Sequence, residues 1–274
     1  MGSSAWSSSR GTVNLVPGDL TSNAAVNAVD TANLDGVSGS TDLVGASVAF
    51  GPDVDGDGAL DLLVGAPGAT SGAGAALVVY GAPSGDESAD LTLSGSSGSA
   101  AGTSVASAGD TDGDGVDDLL VGAPSYDTGA TDRGAAYLLL GASSGLSSIS
   151  LSASDAVLTG ASAGDLAGTA VSGAGDVDGD GSDDLLIGAP GQDTGGSAAG
   201  AAYLFYGPVS GSLTLGSADA TVTGETAGDA AGSVVSSAGD PSGDGRDEIL
   251  IGAPSYDTST TSDVGAVYLL SGGY

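Results

Sequence analysis

The chain has 274 residues, enough for one large domain, and carries 35 acidic side chains against three basic ones, all arginine, with no histidine or cysteine. A formal charge of −32 excludes nucleic acid and anionic membranes as partners, because almost nothing is available to neutralise phosphate. The missing cysteines exclude disulfides and thiolate metal sites, and no apolar run approaches the ~20 residues that membrane insertion requires. Scattered acids such as Asp86, Glu87 and Asp219 suit a high-salt surface; fifteen others obey a loop spacing that such adaptation does not explain.

In chain order, Met1-Gly2-Ser3-Ser4 lacks the positive and apolar regions of a signal peptide, so residues 1–10, including Trp6, are expected to be a flexible lead-in. Thr12 to Gly18 and the stretch ending at Leu34 resemble the third and fourth strands of the units that follow, so residues 11–36 are expected to supply closing strands. Four units then run at about 37–93, 94–158, 159–223 and 224–274. Each opens on a small-residue strand: Ala46–Ala49, Thr103–Ala106, Thr169–Ser172 and Ser233–Ser236. An acidic loop follows, then an apolar strand: Asp61–Val64, Asp118–Val121, Asp184–Ile187 and Glu248–Ile251. Gly-Ala-Pro and a polar loop lead to a third strand: Ala75–Tyr80, Ala135–Leu140, Ala201–Tyr206 and Ala266–Leu270. More polar stretches, such as Ser212–Leu215 with Ala220–Thr223, complete the unit; the last unit stops after its third strand.

The Gly-Ala-Pro glycines, Gly65, Gly122, Gly188 and Gly252, are spaced by 57, 66 and 64 residues. The strands between turns are short, rich in β-branched residues and without 3.6-residue periodicity, which predicts antiparallel meanders. Repeated four-stranded units predict an all-β fold, a β-propeller of about four blades. The N-terminal strand is expected to close the ring on the last blade; a piece of a larger ring is the rival reading.

Each acidic loop begins 12 residues before its Gly-Ala-Pro glycine. The loops place acids at positions 1, 3, 5 and 9: Asp53, Asp55, Asp57 and Asp61; Asp110, Asp112, Asp114 and Asp118; Asp176, Asp178, Asp180 and Asp184. The fourth reads Asp240, Ser242, Asp244 and Glu248. Alternating carboxylates with Gly at position 6 can converge on one hard cation, and the position-7 carbonyl of Ala59, Val116, Ser182 or Arg246 can add an oxygen. The position-9 acid is expected to close the cage with both oxygens. An EF-hand needs Glu at position 12 and flanking helices, whereas Val64, Val121, Ile187 and Ile251 stand there. Magnesium prefers a stricter octahedron, so the expected cofactor is Ca²⁺, up to four ions. The fourth site, short of one carboxylate and next to Arg246, is expected to be the weakest. Four divalent ions would reduce the formal charge from −32 to −24.

The string Asp-x-Asp-Gly-Asp-Gly-x-x-Asp-Leu-Leu-x-Gly-Ala-Pro, followed by Gly-Ala-x-Tyr-Leu, resembles the FG-GAP repeat of integrin α-subunit β-propellers, over about residues 42–270. The Phe-Gly of that family is reduced here to Val44-Gly45, Ala101-Gly102, Ala167-Gly168 and Ala231-Gly232. The resemblance implies calcium loops on one face and partners on the opposite face, which would carry loops 68–74, 125–133, 191–199 and 255–264. It also implies seven blades where this chain has four repeats.

The expected function is a calcium-rigidified extracellular or cell-surface module that binds a protein or glycan. Weak carboxylate sites stay filled where free calcium is roughly millimolar. A self-assembling surface module is the alternative, hinted at by unequal terminal strands. An enzyme is not expected: without His, Cys or Lys, only carboxylate or tyrosine chemistry remains, and most clustered carboxylates are committed to calcium. Tyr80, Tyr137, Tyr203, Tyr206 and Tyr268 are read as packing residues, Tyr126-Asp127 and Tyr256-Asp257 as structural turns, and Arg133 as the local ion-pair partner of Asp132 or Asp127.

Overall fold

A computed structural model describes residues 12–15, 32–35, 41–81, 85–258 and 260–272; the lead-in expected at residues 1–10 lies outside them. The chain folds as strands because its apolar runs are four to six residues long and end at turns where glycine takes positive φ. Among the described residues the one α-helical turn, α1 (Ala69–Gly72), carries left-handed dihedrals at Thr70 and Ser71 and sits in the first loop after Gly-Ala-Pro.

The first two strands, β1 (Thr12–Leu15) and β2 (Ala32–Asp35), form an antiparallel pair. The first unit contributes β3 (Ser47–Phe50), β4 (Leu62–Ala66), β5 (Ala75–Val79), β6 (Gly85–Glu87) and β7 (Leu91–Ser94). The second contributes β8 (Ser104–Gly109), β9 (Asp118–Ala123), β10 (Ala135–Leu139), β11 (Ile149–Ser150) and β12 (Ala156–Thr159). The third has β13 (Ala170–Gly175), β14 (Asp184–Ala189), β15 (Ala201–Phe205), β16 (Gly211–Thr214) and β17 (Ala220–Thr223). The fourth ends with β18 (Val234–Gly239), β19 (Glu248–Ala253) and β20 (Ala266–Leu270). Registers repeat from unit to unit: Val64 faces Val48 and Leu77, Val121 faces Val105 and Tyr137, Ile187 faces Val171 and Tyr203, and Ile251 faces Val235 and Tyr268.

Alternation along the second strand directs side chains to both neighbours. Leu63 packs with Leu119 and Val121 of the second sheet; Leu120 packs with Leu185 and Ile187 of the third; Leu186 packs with Ile249 and Ile251 of the fourth. These leucines are fully buried, so truncating one to alanine is worth about 2–5 kcal/mol. The sheets approach so closely that a Cβ on Gly65, Gly122 or Gly188 would lie 2.0 Å from the carbonyl oxygen of Gly102, Gly168 or Gly232 in the next sheet. Only glycine fits there. The four repeat sheets thus stack as blades of an all-β, propeller-type array.

Two expectations change. The fourth-strand stretch divides: β17 completes its own sheet against β15, whereas β16 crosses over and pairs in parallel with β12 of the preceding sheet. The short β11 does the same on β7, and β6 on β2, giving the order β3-β4-β5-β7-β11 and its equivalent β8-β9-β10-β12-β16. The N-terminal strands, expected to close the last blade, instead form the sheet β1-β2-β6, while β18-β19-β20 remains three-stranded. The physical reason is local: β2 already carries β1 on one edge and β6 on the other, so neither edge is left for β20. No sheet links the two ends of the array among the described residues.

Candidate metal centres

Each acidic loop lies between a first and a second strand, so its two arms are fixed by a ladder while its tip stays exposed. The position-1 acid shapes the tip. Asp110 Oδ1 accepts N–H bonds from Gly113 and Asp114 (2.8 and 3.0 Å), and Oδ2 accepts one from Gly115 (2.9 Å). Asp176 repeats this with Gly179, Asp180 and Gly181, and Asp240 with Gly243, Asp244 and Gly245. Asp53 accepts from Asp57 and Gly58. These donors, Gly245 first, hold the Asp240 carboxyl below its usual range. Position 5 receives the position-7 N–H in every loop: Asp57 from Ala59, Asp114 from Val116, Asp180 from Ser182 and Asp244 from Arg246.

Carboxylate oxygens then converge within 4.8 Å of one another. The groups are Asp53, Asp55 and Asp57; Asp110, Asp112 and Asp114; Asp176, Asp178 and Asp184; and Asp240, Asp244 and Glu248. Asp61 and Asp118 stand outside the first two trios, and Asp180 outside the third. Ser242 bonds Asp240 Oδ1 at 3.3 Å, and the Arg246 side chain lies over Gly179 of the third loop.

The position-9 residues are buried and behave unequally. Asp61 accepts from Val54 N–H (2.9 Å) and Gly81 N–H (2.7 Å), one on each oxygen. Asp118 accepts from Thr111 N–H and Gly141 N–H, with the Thr111 hydroxyl as well, and Asp184 from Val177 N–H and Gly207 N–H. These aspartates pin the loop to the strand that follows. Burial raises their carboxyls despite the donors, taking Asp184 to about 6, with Asp178 and Asp176 adding repulsion. In the fourth loop Pro241 occupies the place of Val54, Thr111 and Val177 and has no N–H. Both Glu248 oxygens are buried without a hydrogen-bond partner among the described residues.

Another set of acids, at position 8, matters as much and escapes the spacing argument. Asp117 Oδ2 accepts from Asp53 N–H (2.9 Å) while Asp117 N–H donates to the Asp53 carbonyl (3.2 Å). Asp183 clasps Asp110 in the same double way (2.9 and 3.0 Å), and Asp247 N–H donates to the Asp176 carbonyl (3.0 Å). Each loop is thereby tied to the loop of the preceding blade. The available signal is that position 8 is acidic in copies two to four and Leu60 in the first.

At the other end of the second strands, Tyr126 packs edge-on against the buried Tyr137, with ring centroids 6.0 Å apart. Arg133 donates to the carbonyls of Gly160, Thr128 and Ala161 instead of forming the expected ion pair.

Four registers of strand, loop and Gly-Ala-Pro define a repeat protein whose loops carry the candidate metal centres. The FG-GAP repeat family model matches residues 44–80, 101–139, 167–205 and 231–270, more than half of the chain, and the chain belongs to that family. This is the repeat type of integrin α-subunit β-propellers. No curated protein matches the chain.

Proposed function

We propose that the chain is a calcium-stabilised, adhesion-type propeller module that works outside the cell. The observation that carries this reading is the convergence of three carboxylates in each of four registered loops. The donor set is all oxygen, the choice of a hard cation with loose geometry. The fourth loop adds an independent sign: the buried oxygens of Glu248 share its trio and have no hydrogen-bond partner among the described residues. Asp53, Asp55 and Asp57, Asp110, Asp112 and Asp114, Asp176, Asp178 and Asp184, and Asp240, Asp244 and Glu248 would hold the ions, which supply charge neutralisation and stability.

The partner, a protein or glycan, is assigned to the loops after Gly-Ala-Pro, which project from the end of the second strands remote from the ions. Catalysis is not part of the proposal. Calorimetric titration with Ca²⁺ tests it: up to four bound ions are expected, with one weaker than the rest. Absence of binding at millimolar Ca²⁺ would overturn it. Binding of glycan and matrix-protein panels, with and without substitutions in loop 125–133, tests the partner face.

A further inference from the structure

We propose that the position-8 aspartates couple the metal loops, so that loops one to three take up calcium as one cooperative group while the fourth fills by itself. This coupling rests on the calcium reading given above and adds an energetic link between its sites.

Each link runs through adjacent residues that hold two loops at once. Asp117 bonds both main-chain polar groups of Asp53, a member of the first trio. Its neighbour Asp118 accepts the N–H of Thr111, which lies between Asp110 and Asp112 of the second trio. The connector after β10 repeats the pattern. Gly141 N–H donates to Asp118 Oδ1 (2.8 Å), and Ala142 N–H donates to the Val54 carbonyl of the first loop (3.1 Å). Asp183 likewise holds Asp110 of the second trio, and the next residue, Asp184, belongs to the third trio itself. Asp184 also accepts the N–H of Val177, beside Asp176. An ion that fixes Asp110 therefore fixes Asp183, one peptide bond from a carboxylate of the next site.

The chain makes room for this contact. A Cβ on Gly109 would lie 2.0 Å from Asp183 Oδ2, so the residue before the second loop must be glycine for the clasp to close. The link to the fourth loop is thinner. Asp247 N–H donates to the Asp176 carbonyl, but Glu248 accepts no hydrogen bond among the described residues and does not tie Asp247 to its own loop.

Converging carboxylates repel in an ion-free loop, and binding orders it. A loop already held by an ordered neighbour loses less freedom on binding, which is positive cooperativity. Couplings of this kind are typically about 5–150-fold in affinity and act equally in both directions.

In each loop the position-6 glycine N–H donates to the position-1 carboxylate, so Gly58, Gly115, Gly181 and Gly245 report the four sites separately. Their amide signals are followed by nuclear magnetic resonance as Ca²⁺ is added to the full chain, with circular dichroism confirming that each variant folds. Gly58, Gly115 and Gly181 should move together, more steeply than an independent site allows, and Gly245 separately. Asp183→Leu should shift the Gly115 and Gly181 midpoints to calcium concentrations about fivefold higher or more and leave Gly245 in place. Asp183→Asn, which keeps an acceptor oxygen for the Asp110 N–H, should restore the wild-type curves. Asp117→Leu should act in the same way on Gly58 and Gly115. Four independent midpoints indifferent to Asp183→Leu overturn the coupling and leave the calcium reading standing. A uniform shift of all four signals in Asp183→Leu, or an equal loss in Asp183→Asn, overturns it as well. Signals that stay still in millimolar Ca²⁺ overturn both.

Discussion

The third and fourth acidic loops differ mainly in what their position-9 acid touches. Asp184 is held by the N–H groups of Val177 and Gly207, so its loop is anchored to the strand without help from an ion. Glu248, in a loop that offers Pro241 instead of an N–H, is buried with neither oxygen hydrogen-bonded among the described residues. One loop is pre-built and the other waits for a counter-charge. The comparison teaches that a carboxylate in a metal-type motif can serve backbone architecture first, and that without its two N–H donors it becomes a buried charge that needs an ion.

The largest expected effect sets all loops against their ion-free forms. A site filled to ~100 times its dissociation constant contributes about 2.7 kcal/mol, so four such sites contribute roughly 11 kcal/mol. Chelation should lower the melting temperature by tens of degrees, with the fourth loop emptying first; an unchanged melting curve breaks the comparison. Next, Asp184→Ala orphans two buried N–H groups and should cost about 2–5 kcal/mol even in chelator, by urea denaturation. Glu248→Gln under the same conditions should be within about 1 kcal/mol of neutral, because no hydrogen bond is lost. Equal costs for the two would erase the distinction between the loops.

Acidity sharpens the point. The folded-state carboxyl of Asp184 lies at about 6, above its ordinary 3.8, so the fold holds a proton that the unfolded chain has released. Its contribution is present below the lower value and is lost as pH rises through the upper one. In chelator, lowering the pH from neutral to about 5 should therefore raise the melting temperature, followed by differential scanning calorimetry. A fall over that interval counts against the buried, ion-free aspartate. The smallest effect is a gain: Ser242→Asp restores the missing carboxylate and should tighten the weakest calcium step roughly tenfold in calorimetry.

Much of this architecture is legible in the chain. The runs Leu62–Val64, Leu119–Val121, Leu185–Ile187 and Ile249–Ile251 identify the second strands because burial on both faces demands uninterrupted apolar residues. The loop spacing exposes the candidate trios for the same reason: alternation and glycine turns are local. What stays hidden depends on a neighbour distant in sequence. The crossover strands β6, β11 and β16 are only two to four residues long, with at most one apolar residue each, too short to show a strand pattern in the sequence. The clasps of Asp117 and Asp183 reach partners 64 and 73 residues away. The N–H donors that occupy Asp61, Asp118 and Asp184 carry no side-chain signature, and only Pro241 betrays their loss in the fourth loop.

The crossover strands also decide what can be cut from this chain as a cassette. A deletion bounded by the sequence repeat 94–158 would remove β11 from the sheet built by residues 47–94, and the graft of a foreign repeat would have to replace that missing edge. The transplantable module is therefore out of phase with the textual one, and swaps should carry each crossover strand together with the sheet it completes.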